Sequence, residues 1–149
     1  MKFKVLFAAF AMLAAISCGD SSKEDAPDPR ENTQYKGTVS VLYNSEIVEN
    51  PDVFIDYIPS EDGTKVSLLF NKIRFVPAMP PIDVTVPDID VKVSSDRLLL
   101  SCDNIVPLAA GGEFPRYLVT GMTGSVVGDQ MEFSLNFGSY PTTFSGKKQ

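Results

Sequence analysis

Histidine is missing from all 149 residues of this chain, and so is tryptophan. The missing histidine removes the commonest general base, the commonest metal ligand and every Ser-His or Cys-His pairing. Cys18 and Cys102 are the only cysteines, too few for the disulfide framework of a small secreted domain. Basic residues are outnumbered, 13 Lys and Arg against 19 Asp and Glu, for a net charge of -6. No basic patch is available to follow a phosphate backbone, so nucleic acid is not an expected partner. Beyond Cys18 no long stretch carries a helical period.

What is there begins at the N-terminus. Lys2 and Lys4 precede an apolar run over residues 5–16, and small residues follow, which is the order of a secretory signal. The run is well short of the roughly 20 apolar residues a membrane-spanning helix needs. Leu13-Ala14-Ala15-Ile16-Ser17-Cys18 resembles the lipobox of bacterial lipoproteins, with Ala15 standing where a larger aliphatic residue is usual. That resemblance implies that residues 1–17 are removed as a lipoprotein signal peptide and that Cys18 is acylated. Each buried methylene of such a chain contributes about 0.8 kcal/mol, and two or three chains hold stably. Losing Lys2 and Lys4 takes the charge to -8 (-6 minus 2).

Residues 18–34 then comprise the acylated cysteine and a polar, Pro-containing stretch that reads as a disordered tether. Its expected mean reach is roughly 20 to 25 Å. Lys23-Glu24-Asp25 resembles the signal that sends lipoproteins of Bacteroidetes-type bacteria to the outer face of the outer membrane. An outer-membrane, lipid-anchored, surface-exposed location is the expectation. With Cys18 lipidated, Cys102 has no intramolecular partner. It lies in phase with Leu98 and Leu100 and reads as a small buried hydrophobe.

From Tyr35 onward apolar residues recur at every second position, the period of a strand with one buried face. Tyr35, Gly37, Val39, Val41 and Tyr43 share the inner side of a first strand, and a second is expected over residues 53–58. Asp62-Gly63 predicts a hairpin turn, because glycine tolerates the positive φ such turns require. Val66, Leu68 and Phe70 follow in phase, then Ile73 and Phe75 take over, and that slip predicts a β-bulge near Asn71. Ile82, Val84 and Val86 give way after Pro87 to Ile89, Val91 and Val93. This predicts one long strand bent at the proline, which has no N–H for a ladder. Leu98 to Cys102, residues 117–127, residues 131–137 and a short run at 142–146 complete about eight strands. The fold class is all-β, a closed meander or a two-sheet sandwich, and closure into an eight-stranded antiparallel up-and-down barrel is the more economical answer because it leaves no unpaired edge.

Phe70-Asn71-Lys72-Ile73-Arg74-Phe75, Met79-Pro80 before an Ile-Asp-Val-Thr-Val strand, Gly124 to Met131, and Thr143-Phe144-Ser145-Gly146 together resemble the calycin-like barrel domain of Bacteroidetes lipoproteins. The likeness covers most of residues 35–147. It implies a calycin or lipocalin-like barrel there and brings no residue roles with it.

In such a meander alternate connections share an end. Residues 61–64, 94–97 and 128–130 make short turns at the end where the tether attaches. Residues 45–51, 77–81 and 107–116 fall at the other, longer and oddly apolar. Loops on a rigid scaffold are where binding residues collect. Met79, Leu108 and Phe114 are therefore the candidate rim for a small apolar ligand or an envelope protein. The competing expectation is that they fold inward and complete the core.

Catalytic chemistry is not expected. Asp83, Asp88 and Asp90 alternate with apolar residues as on a solvated outer face, and lack the Gly and distal Glu of a calcium loop. Gly121, Gly124 and Gly128 do not lead a strand into a helix, as a phosphate loop must. No cofactor or metal is implied. A noncatalytic anchored barrel, hollow or filled, is the expectation.

Overall fold

A computed structural model describes residues 27–109 and 111–149. The signal segment and Cys18 lie outside the described residues, as does the tether as far as Ala26. Ten strands follow in order: β1 (Thr33–Tyr43), β2 (Glu46–Pro59), β3 (Lys65–Ile73), β4 (Ile82–Ser94), β5 (Arg97–Cys102), β6 (Leu108–Ala109), β7 (Gly112–Glu113), β8 (Val119–Val127), β9 (Gln130–Phe137) and β10 (Tyr140–Lys148). One 3₁₀ turn, Pro115–Tyr117, precedes β8. Eight of the strands close a single antiparallel up-and-down barrel, in the neighbour order β1-β2-β3-β4-β5-β8-β9-β10 and back to β1.

The seam between first and last strand is tight. Gly37 lies opposite Gly146 across it, and a Cβ on Gly146 would come within 2.6 Å of the Lys36 carbonyl. A Cβ on Gly37 would collide with the Ser145 carbonyl. The paired glycines let the two backbones coil closely enough to complete the wall.

Both expected irregularities are present. Lys72, at φ +62°, sits in the β3–β4 register shift beside Asn71. Asp88, at φ +58°, follows Pro87 in a second shift. At that second bend the wall forks. Pairing is maintained on the β3 side, while on the other side β4 pairs with β5 only from Asp90 onward. β5 meanwhile runs on along β8 to an isolated bridge between Ile105 and Val119. The small β6–β7 hairpin returns to pair with β4 at Val84 and Thr85.

The interior is solid. Inward residues of all eight wall strands form one apolar cluster. Phe70 meets Phe133 and Phe137 edge-on at 5.7 and 5.5 Å between ring centres, the arrangement ring quadrupoles favour. Phe133 stacks on Phe144 at 5.3 Å.

Four expectations need correction. The barrel starts at Thr33, so Thr33 and Gln34 are strand rather than tether, and residues 28–31 form a turn. Residues 45–51 are not a long loop: Asn44 and Ser45, at φ 50° and 66°, make a two-residue turn, and β2 begins at Glu46. Paired positive φ values of this kind match the twist of the flanking strands. Residues 107–116 are not irregular throughout but hold β6 and β7. Tyr117 belongs to the 3₁₀ turn and not to β8.

Candidate functional site

The end that receives the longer connections is closed by side chains. Phe75 leaves β3 just past Ile73 and is fully buried at the centre of the mouth. It stacks on Tyr117 at 4.2 Å and 26°, and meets Phe137 edge-on at 4.9 Å. Phe114 packs on Tyr117 at 5.0 Å, and Tyr43 on Tyr140 at 5.8 Å. Two connections, carrying Phe75 and the Phe114–Tyr117 segment, and the strand ends at Tyr43, Phe137 and Tyr140 therefore contribute to one aromatic plug.

A buried amide holds the segment that carries Phe75. Asn50 Nδ2 donates to the Arg74 carbonyl at 3.1 Å and to the Val39 carbonyl at 3.4 Å, and its Oδ1 accepts from the Arg74 N–H at 2.8 Å. Its polar atoms are thus satisfied by main chain, as a buried amide requires.

The three rim candidates divide. Met79 and Phe114 are half-buried against the core cluster, and the Phe75 N–H points at Met79 Sδ at 3.2 Å. Leu108 is turned the other way, 41% exposed on β6. It lines an open groove of about 660 Å³ on the outer wall with Lys72, Ile82, Asp83 and Thr85. The structure thus unites Met79 and Phe114 in the plug and leaves Leu108 apart from them.

The opposite end is closed by backbone and hydroxyl. The Tyr57 O–H donates to the Pro29 carbonyl at 3.2 Å, laying residues 28–31 across the opening. Gly63, at φ +74°, allows that strap to approach, since a Cβ there would meet Arg30 Cγ at 2.6 Å. Tyr35 and Tyr57 are both buried. Burial, with Glu31 and Asp129 adding to it, pushes the Tyr35 phenol up to about 12. Burial is also the main cause raising Tyr57, followed by Tyr35 and Asp28.

Cys102 faces inward and is half-buried, its S–H directed at Met122 Sδ, 3.6 Å away on β8. Burial, then Asp103 and Asp90, pushes the thiol up to about 11. A thiol held protonated is a poor nucleophile and a packing residue. The strand acids are engaged with lysines: Asp83 with Lys72, whose main-chain N–H it also accepts at 3.0 Å, and Asp90 with Lys65. Among the described residues no three Cys, Asp or Glu side chains gather as a metal site.

One feature was not anticipated. On the outer wall Ser40, Thr143, Ser134, Thr123 and Ser101 stand directly opposite one another across five adjacent strands. Four of them, Ser40, Thr143, Ser134 and Thr123, line a shallow depression of about 580 Å³ that also takes in Glu132. Each hydroxyl is visible in the sequence as an outward position, but only the register aligns them. No family model, curated protein or solved structure matches this chain.

Proposed function

We propose that this chain is a noncatalytic barrel lipoprotein, held at the outer membrane through acylated Cys18, that works through its surface as an interaction module. The single observation that carries this reading is the filled interior, in which inward side chains of all eight wall strands make one cluster and both mouths are occupied. A barrel of this strand number has room for either packed side chains or one small ligand. Here Phe70, Phe133 and Phe137 take the centre. The family resemblance to calycin-like lipoprotein barrels supports the same architecture. Residues 28–31 lie at the short-turn mouth, so a tether arriving there turns the aromatic mouth and the β1–β2 hairpin away from the lipid.

Two measurements test this. Cys18→Ala is expected to abolish labelling by a radioactive or alkyne-bearing fatty acid and to move the protein out of the membrane fraction. Retention with full labelling would refute the anchor. Native mass spectrometry of the full chain with added fatty acids and sterols is expected to show no retained adduct. A one-to-one adduct surviving desolvation would refute the filled interaction barrel in favour of a ligand carrier.

A further inference from the structure

The wall of the barrel has no edge, yet one strand of it outruns its neighbour. β2 begins at Glu46 but pairs with β3 only from Phe54. Over its first residues it is bonded to β1 alone, from Tyr43 opposite Glu46 to Val39 opposite Asn50. Among the described residues no main-chain group pairs with its other side there. In a two-residue hairpin the residues flanking the turn are the hydrogen-bonded pair, and bonded and non-bonded pairs then alternate. Tyr43 and Glu46 flank this turn. Ile47 and Glu49 are therefore the residues whose N–H and C=O groups point outward, away from β1. At Asn50 the edge ends, because its side chain takes Arg74.

The side chains on this short edge are not those of a blunted one. Ile47 is 58% exposed, the most exposed large apolar residue among the described ones, and Leu42 lies directly opposite it and is exposed too. Protected edges carry charge or proline at such positions. Charge enters only as Glu46 and Glu49, both exposed and both acidic. Glu49 shares the outer face with Ile47, and a second copy added antiparallel through these two residues would set each Glu49 opposite an Ile47 and bring the two Glu49 carboxylates to diagonal positions, where like charges across strands are unfavourable. A basic strand would meet opposite charge at the same positions.

We propose that the free edge of β2 at Ile47 and Glu49 takes up an extended basic segment of a partner protein as an added antiparallel strand. The register sets its pattern: a Lys or Arg facing Glu49 and, two residues later, an aliphatic residue facing Ile47 beside Leu42. Main-chain hydrogen bonds supply the attachment and alternate side chains the selectivity, as in other strand additions. Glu49 acts against self-association, so specificity includes a repulsive element. This deepens the interaction reading above and rests on it for the claim that binding is the chain's task.

The test uses the full chain in detergent, isotopically labelled, and a blocked peptide of sequence Lys-Thr-Lys-Thr-Val-Thr as probe. Saturable amide shifts centred on Ile47 and Glu49 are expected. The same peptide N-methylated on its pairing residues should lose the effect, and Glu49→Lys should weaken binding about tenfold. The Lys-to-Glu peptide should not bind. Shifts elsewhere, none at all, equal binding by the N-methylated peptide, or concentration-dependent shifts at Ile47 without peptide would each overturn the proposal. These readouts are independent of fatty-acid labelling and of ligand adducts, so failure here leaves the anchored, filled barrel standing, and failure there leaves the edge intact.

Discussion

The two mouths of the barrel are closed by different means. At the short-turn end a main-chain strap, residues 28–31, is held by the Tyr57 hydroxyl and seated against Gly63. At the other end Phe75, Tyr117 and Phe114, brought in by two connections, and Tyr140 at the start of β10 stack over the core. The first closure depends on the wall and its turns; the second depends on large apolar side chains. Burial of aromatic area is worth several times a single hydrogen bond. Damage to the aromatic end should therefore spread through the whole molecule, and damage to the strap should stay local.

The largest effect is expected where neither mouth can function without the wall. Gly37→Val drives a side chain into the Ser145 carbonyl at the seam, and the barrel should fail to close, read as loss of β circular dichroism and of the cooperative thermal transition. Next, Phe75→Ala should lower global stability by about 3 to 5 kcal/mol, measured by denaturant unfolding. A loss under about 1 kcal/mol would show that the plug is an ornament on a self-sufficient core. Tyr57→Phe should cost only about 0.5 to 1.5 kcal/mol and appear chiefly as faster hydrogen exchange in residues 28–31. Loss comparable to Phe75→Ala would erase the distinction between the two ends.

Alkali probes the strap end selectively. A phenol whose folded pKa lies above its unfolded value contributes stability that is complete below the unfolded pKa and is lost as pH rises through the folded one. For Tyr35 that window runs from its ordinary 10.0 to about 12. Ultraviolet titration should show late ionisation of Tyr35 and Tyr57, coincident with unfolding. Ionisation of all five tyrosines near pH 10 with the fold intact would contradict the burial. Smallest of all, Leu108→Ser on the outer groove should change stability by no more than about 0.5 kcal/mol, in contrast to its inward-facing companions Met79 and Phe114.

Much of the wall was legible in the sequence because its signals are local. Alternation marked the inner faces, the slip from Phe70 to Ile73 marked the bulge now seen at Lys72, and Pro87 marked the bend at Asp88. The first half of β2 was not legible. Its inward positions are held by Val48 and Asn50, and a buried amide satisfied by Arg74 has no signature in a hydropathy pattern. The hairpin of β6 and β7 escaped for another reason: two-residue strands beside glycines are too short to show a period. Of the rim residues, the sequence located the right end for Met79 and Phe114 but not the direction Leu108 faces, which depends on how β6 docks on β4. The hydroxyl row was invisible for a similar reason, since alignment across five strands is a property of register.

The glycine seam also sets an order of events. β1 and β10, the first and last strands, are mutual neighbours, and pairing of the chain's extremes is the slowest kind of contact to make, because the longest loop must close before it is rewarded. Until its C-terminal residues are available, the chain has a row of unmatched main-chain groups along β1 and an incomplete ring. A chain made N-terminus first thus keeps an open wall until β10 is present to pair with β1.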